Sequence, residues 1–134
     1  MTATIDFRSP EAGYDDPLAM WLACHQRVKR FAAMLGRLSA HLQQTGPDEE
    51  AQRAAASIRR YFNEAAPRHH EDEEVDMFPR LRERCTASER AMLEAVIDDI
   101  EAEHLDMAGR WRQIDAILAD VQLGRPGTLA PELI

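Results

Sequence analysis

Apolar residues recur along this chain in alternating steps of three and four, the spacing that stacks side chains on one face of an α-helix. From about Pro17 to Gln44 the inward positions are Leu18, Trp21, His25, Val28, Ala32, Leu35, Ser39 and Leu42. From about Asp48 to Arg84 they are Ile58, Phe62, Ala65, His69, Glu73, Met77 and Leu81. From about Ala87 to Leu123 they are Leu93, Ile97, Ile100, His104, Met107, Trp111, Ile114, Leu118 and Val121. Each stripe carries a histidine at a core position, and the second carries a glutamate as well.

The breaks between stripes are marked by turn chemistry. Asp15-Asp16-Pro17 reads as a cap followed by proline at the first helical position. Gly46-Pro47 ends the first helix and Asp48 can cap the second, in which Pro67 and Pro79 are predicted to bend or interrupt the backbone. Thr86-Ala87-Ser88-Glu89 is a capping box for the third helix, which Gly124-Arg125-Pro126-Gly127 closes. Strand signals are absent. Short turns between long amphipathic helices make neighbours antiparallel, so the pattern predicts an all-α, up-and-down bundle over 17–134, preceded by an N-terminal arm over 1–16 that Ile5 and Phe7 can tack to the core.

Turn positions also say which polar residues share a level, because two residues of a hairpin face each other when their midpoint falls in the turn. His25 and His69 average to position 47, in the first turn, and His69 and His104 to 86.5, in the second. Glu73 with His104 averages to 88.5, an offset that keeps it near the same layer, since a helical turn rises only about 5.4 Å. Taken singly, a histidine on an apolar face is an ordinary hydrogen-bonded core residue. Three histidines and a glutamate at one level are different, because an unpaired carboxylate in a dry core costs several kcal/mol. A bound cation removes that cost. His69 and Glu73, spaced i, i+4, project from one helical face and can bind one ion or bridge two.

Composition narrows the alternatives. A chain of 134 residues is one domain's worth of polypeptide, with 45% hydrophobic content for a core and a net charge of −8 that disfavours nucleic acid and anionic lipid and favours cations. No apolar run approaches the roughly 20 residues that span a bilayer, and the opening residues lack the layout of a signal peptide. Cys24 and Cys85 make no disulfide framework, so the expected address is the cytoplasm. No glycine-rich phosphate loop or nucleophile elbow is present.

Around the second histidine the chain reads His69-His70-Glu71-Asp72-Glu73-Glu74-Val75-Asp76-Met77-Phe78-Pro79. This resembles the hemerythrin-like, or HHE cation-binding, family, whose second helix carries His-x-x-x-Glu-Glu-x-x-apolar-Phe-Pro. The family also places a lone histidine on its first helix, matched by His25, and a Glu-His pair on its third, matched by Glu103-His104. The resemblance implies a non-haem di-iron centre held by His25, His69, Glu73 and His104, with Glu73 bridging. It further implies that the protein binds oxygen, nitric oxide or peroxide, or stores or senses iron in redox stress; zinc or manganese could replace iron. A fourth family helix bearing another His-x-x-x-Glu has no counterpart here: reflecting His104 through a turn near Pro126 puts its partner near about position 148, past Ile134. The expectation is therefore a bundle whose fourth helix is missing or only begun, with the uncovered face open to homodimer formation.

Secondary candidates carry milder expectations. His70 borders the inward stripe and pairs at i+4 with Glu74, so both are secondary ligand candidates, His70 being better suited to hydrogen-bonding a ligand. Glu101-x-x-His104 matches an element of ferritin-like di-iron proteins, but Glu101 reads as solvated. Cys24 reads as a small buried thiol, Trp21 and Trp111 as core filling, and nothing marks His41. Two alternatives to a metal and small-ligand binder remain: a di-iron enzyme for peroxide reduction or iron–sulfur repair, and a metal-free helical interaction module whose polar layer only sets register.

Overall fold

The structure, a computed structural model, describes residues 17–134 apart from the side chains of Pro17, Leu18 and Met20. The arm with Ile5 and Phe7, the Asp15-Asp16 cap and the inward position of Leu18 lie outside the described residues. Three long helices follow one another: α1 Pro17–Thr45, α2 over 49–84 and α3 Arg90–Gln122. After α3 the chain turns at Gly124 and ends in a 3-10 turn, Pro131–Leu133. Among the described residues there is no strand and no fourth long helix.

The turns are built from the residues that mark them. Gly46 and Gly124 sit at φ of +76° and +77°, left-handed conformations that glycine adopts without steric cost. Asp48 caps α2 by accepting a hydrogen bond from the Ala51 N–H at 2.9 Å. The Glu89 carboxylate reaches back to the Thr86 N–H at 3.2 Å, but the Thr86 hydroxyl donates to that same carboxylate at 2.6 Å instead of capping. The regular helix accordingly starts at Arg90 rather than near Ala87.

Pro67 and Pro79 do not interrupt α2. Each follows a π-helical turn, Tyr61–Ala65 and Asp72–Met77. In these turns the Ala66 N–H donates to the Tyr61 carbonyl and the Phe78 N–H to the Glu73 carbonyl, five residues back. Proline has no N–H and its ring crowds the carbonyl four residues earlier, and widening the preceding turn relieves that crowding while α2 continues. Each widened turn inserts one residue, so the buried positions step by five, from Tyr61 to Ala66 and from Glu73 to Phe78. This corrects the expected stripe: Ala66 and Phe78 are buried, whereas Ala65 and Met77 are only half-buried and Leu81 is exposed.

α2 packs against both neighbours, and α1 and α3 flank it. The core gathers Leu35, Leu38 and Leu42 of α1, Ala51, Ala55 and Ile58 of α2, Ile114, Leu118 and Val121 of α3, and Leu129 from the terminal segment. Phe31 stacks on Tyr61 with ring centroids 4.1 Å apart, leading the core toward the histidine layer. Ile58 and Leu118 are fully buried, so Leu118→Ala is expected to lower unfolding free energy by about 2–5 kcal/mol in a denaturant titration, the range for an aliphatic core truncation. Ala32, expected inward, is exposed. It borders an apolar groove of about 830 Å³ with Val28 of α1, Met107 and Trp111 of α3, and the terminal Leu133 and Ile134.

His41, unmarked in the sequence, clasps the first turn: its Nε2 lies 2.8 Å from Asp48 Oδ1. The hydrogen bond to the Asp48 carboxylate raises the His41 pKa above 6.5, and the Ala51 N–H together with His41 lowers that of Asp48. A raised histidine pKa stabilises below its unfolded value and loses that contribution as pH rises through the folded one. A lowered carboxylate pKa stabilises above its unfolded value and loses the contribution as pH falls through the folded one. The clasp therefore operates between the lowered Asp48 pKa and the raised His41 pKa. Asp48→Asn is expected to return His41 to about 6.5 in an NMR titration; an unchanged His41 pKa would disprove the clasp.

Candidate metal centre

One layer of side chains crosses the bundle, about midway along α2 and α3 and near the start of α1. Glu73, on the second π turn of α2, is almost completely buried at 3% exposure, and His69 one helical turn earlier is buried beside it. The His69 Nε2 lies 2.7 Å from Glu73 Oε1. From α1 the His25 Nε2 approaches the same oxygen at 3.6 Å, and from α3 the His104 Nε2 lies 3.1 Å from the other oxygen, Oε2. The structure thus brings together all four residues that the turn midpoints put at one level. His25, His69 and Glu73 offer ligand atoms within 4.8 Å of one another, a spacing that can hold a metal ion.

Hydrogen bonds on the far side of two rings fix which nitrogen faces inward. The His25 Nδ1 is 2.9 Å from the Trp21 carbonyl oxygen, which only accepts, so Nδ1 carries the proton and Nε2 points to Glu73. The His104 Nδ1 is 3.0 Å from Glu74 Oε1, again an acceptor. His104 therefore has a carboxylate oxygen on each nitrogen, and a neutral imidazole has only one N–H to offer. With its one N–H directed to Glu74, the ring presents its Nε2 lone pair on the Glu73 side, where it is available to a cation. That is the test of fit for a metal, and the donor set passes it: three imidazole nitrogens and a buried carboxylate suit iron, zinc or manganese.

Burial works to raise the Glu73 carboxyl, but the His69 hydrogen bond, the charges of His69 and His104, and the Trp21 hydrogen bond outweigh it and hold the group below the ordinary range. Trp21, read from sequence as core filling, donates its indole N–H to Glu73 Oε1 at 3.0 Å. The signal was there: Trp21 stands four residues before His25, on the same helical face. Trp111, by contrast, donates to Asn63 Oδ1 at 2.8 Å, away from the four residues.

The secondary candidates separate. Glu74 sits behind His104 with its side chain 43% exposed, a position that orients the imidazole. His70 stacks on His104, centroids 3.9 Å apart at an interplanar angle of 13°, and also lines the apolar groove. Burial and the neighbouring His104 and His69 rings press its pKa down to about 4. Glu101 is half-buried and acts electrostatically on Arg82, outside the His25–His69–Glu73 group. Cys24 is half-buried, and burial raises its thiol pKa. Among the described residues, no helix is long and apolar enough to cross a membrane.

Comparison with known proteins shows the family. The model of the hemerythrin HHE cation-binding domain matches residues 16–134, nearly the whole chain. An uncharacterized protein of Haemophilus influenzae is 33% identical over 110 residues, which cover 82% of this chain and 61% of that protein. The chain thus spans less than two thirds of the length of the curated relative it matches. No solved structure gives a significant match.

Proposed function

We propose that this chain, which belongs to the hemerythrin HHE cation-binding domain family, holds a pair of non-haem iron ions through His25, His69, Glu73 and His104 and uses them to bind oxygen, nitric oxide or peroxide. The observation that carries the reading is Glu73: buried, with imidazole nitrogens of His25 and His69 facing one oxygen and that of His104 facing the other. A carboxylate addressed in this way suits a bridge between two ions, whereas a carboxylate in a structural ion pair would need only one partner.

The family's cation-binding character supports the metal; the choice of iron rests on the donor set. Histidine-rich sites with few carboxylates suit iron, and ions supplied with so few protein donors keep open positions for small oxidants. When bound, the iron supplies the redox chemistry. The chain's own residues supply the rest: Trp21 and Glu74 hold His25 and His104 with Nε2 inward. The apolar groove that His70 and Glu74 border offers small ligands a path to the layer from the side of α1 and α3.

The test is metal analysis of protein purified without chelators, followed by anaerobic mixing of the ferrous form with oxygen or nitric oxide. Expected are about two iron ions per chain and a near-ultraviolet charge-transfer band that grows on oxidation. A chain purified without transition metal, and unable to take any up, would overturn the proposal in favour of a helical interaction module.

A further inference from the structure

We infer that Trp21 is the positioning residue of this centre: through its side chain it sets the orientation of Glu73, and through its backbone carbonyl it sets the tautomer of His25. The inference deepens the proposed metal-binding reading and rests on it for the metal measurements, though not for the first measurement below.

Glu73 has four close polar contacts among the described residues, from His69, His25 and Trp21 on Oε1 and from His104 on Oε2. Three of these come from imidazole nitrogens that are themselves metal-type donors. An ion held in the layer would take the lone pairs of these nitrogens and so replace their direct contacts with the carboxylate. The indole N–H cannot ligate a metal and has no acceptor lone pair, so its 3.0 Å bond to Oε1 is the contact that survives. It is also charge-assisted, since the acceptor is a carboxylate.

The bond has a directional consequence. It occupies one lone pair of Oε1 and leaves the other toward His25 and His69, while Oε2 faces His104. The same residue's carbonyl accepts from His25 Nδ1 at 2.9 Å, and the Trp21 and His25 rings pack at a centroid distance of 4.1 Å. One position on α1 therefore orders two of the four candidate ligands, which lie on different helices.

The first measurement needs no metal. In the NMR spectrum of metal-free protein, Glu73→Gln should move the Trp21 indole N–H resonance, because a neutral amide oxygen replaces a carboxylate, while the Trp111 indole resonance stays. If neither indole resonance moves, or both move alike, the inference fails whether or not the protein binds metal. The second measurement compares Trp21→Phe with Trp111→Phe by zinc or cobalt(II) titration of intact protein. Trp21→Phe should weaken metal affinity by roughly 10–100-fold, the usual cost of losing a group that orients a ligand, and should alter the ligand-field bands of bound cobalt(II). Trp111→Phe, an equal loss of ring volume, should change neither. Equal weakening by both would mean that tryptophan packing, not the N–H donor, matters, and unchanged affinity in Trp21→Phe would overturn the inference directly.

Discussion

His69→Ala and Glu73→Ala are each expected to strip most of the metal from the protein, whereas Glu71→Ala should leave metal content within error. All three positions lie on α2 within one and a half turns, so the comparison isolates direction from proximity. His69 and Glu73 are buried and converge at 2.7 Å; Glu71, two residues from each, is exposed. Removing a ligand costs more than the roughly 10–100-fold penalty of removing a residue that merely orients one, so the two buried changes should exceed Trp21→Phe in effect. His104→Ala should resemble them for one ion only, because its Nε2 faces Oε2 while His25 and His69 share Oε1. Equal metal loss from Glu71→Ala and Glu73→Ala would mean that the negative field of residues 71 to 76, rather than a directed site, gathers the cations.

The convergence of His25, His69, Glu73 and His104 was legible in the sequence because it depends on two robust signals. Gly46-Pro47 and the Thr86 to Glu89 box locate the turns, and helical rise then carries each histidine to a fixed height. What stayed hidden depends on departures from the ideal helix. A stripe drawn in steps of three and four assigns Ala65 and Met77 to the core, and the two π turns, each adding a residue before a proline, give those places to Ala66 and Phe78. Pro67 and Pro79 were visible, but the sequence does not say whether a proline is met by a kink, a break or a widened turn. The partners of the ligands were hidden for another reason. Trp21 looks apolar in a hydropathy pattern, and only the structure shows its N–H aimed at a carboxylate. Glu74 stands out in the sequence only as a secondary ligand candidate paired with His70, yet it is the residue that faces His104 Nδ1. The stripe shows which face a residue occupies; the direction of a single N–H follows from packing between helices.

Removing the cation should destabilise the bundle, and the size of the effect separates a bound metal from a register-setting polar layer. An ion held only by the folded state adds RT ln(1 + [L]/Kd), about 2.7 kcal/mol at a hundredfold excess over Kd. For a chain of 134 residues this corresponds to a fall of roughly 10 °C in Tm on chelation. The direction follows from the layer itself. An ion in the layer would be held by Glu73 and the inward Nε2 atoms; without it, a carboxylate at 3% exposure is left among imidazole nitrogens with one indole N–H bonded to it. Calorimetry of metal-replete and chelated protein at matched pH measures the difference. The same pair of scans on His69→Ala should show almost no chelator effect, since that variant has little metal to lose. A wild-type Tm indifferent to chelator would mean that protons alone satisfy the layer. A chelator effect of equal size in His69→Ala would place the stabilising ion elsewhere, with His41, Asp48 and Glu50 at the first turn the next group to titrate.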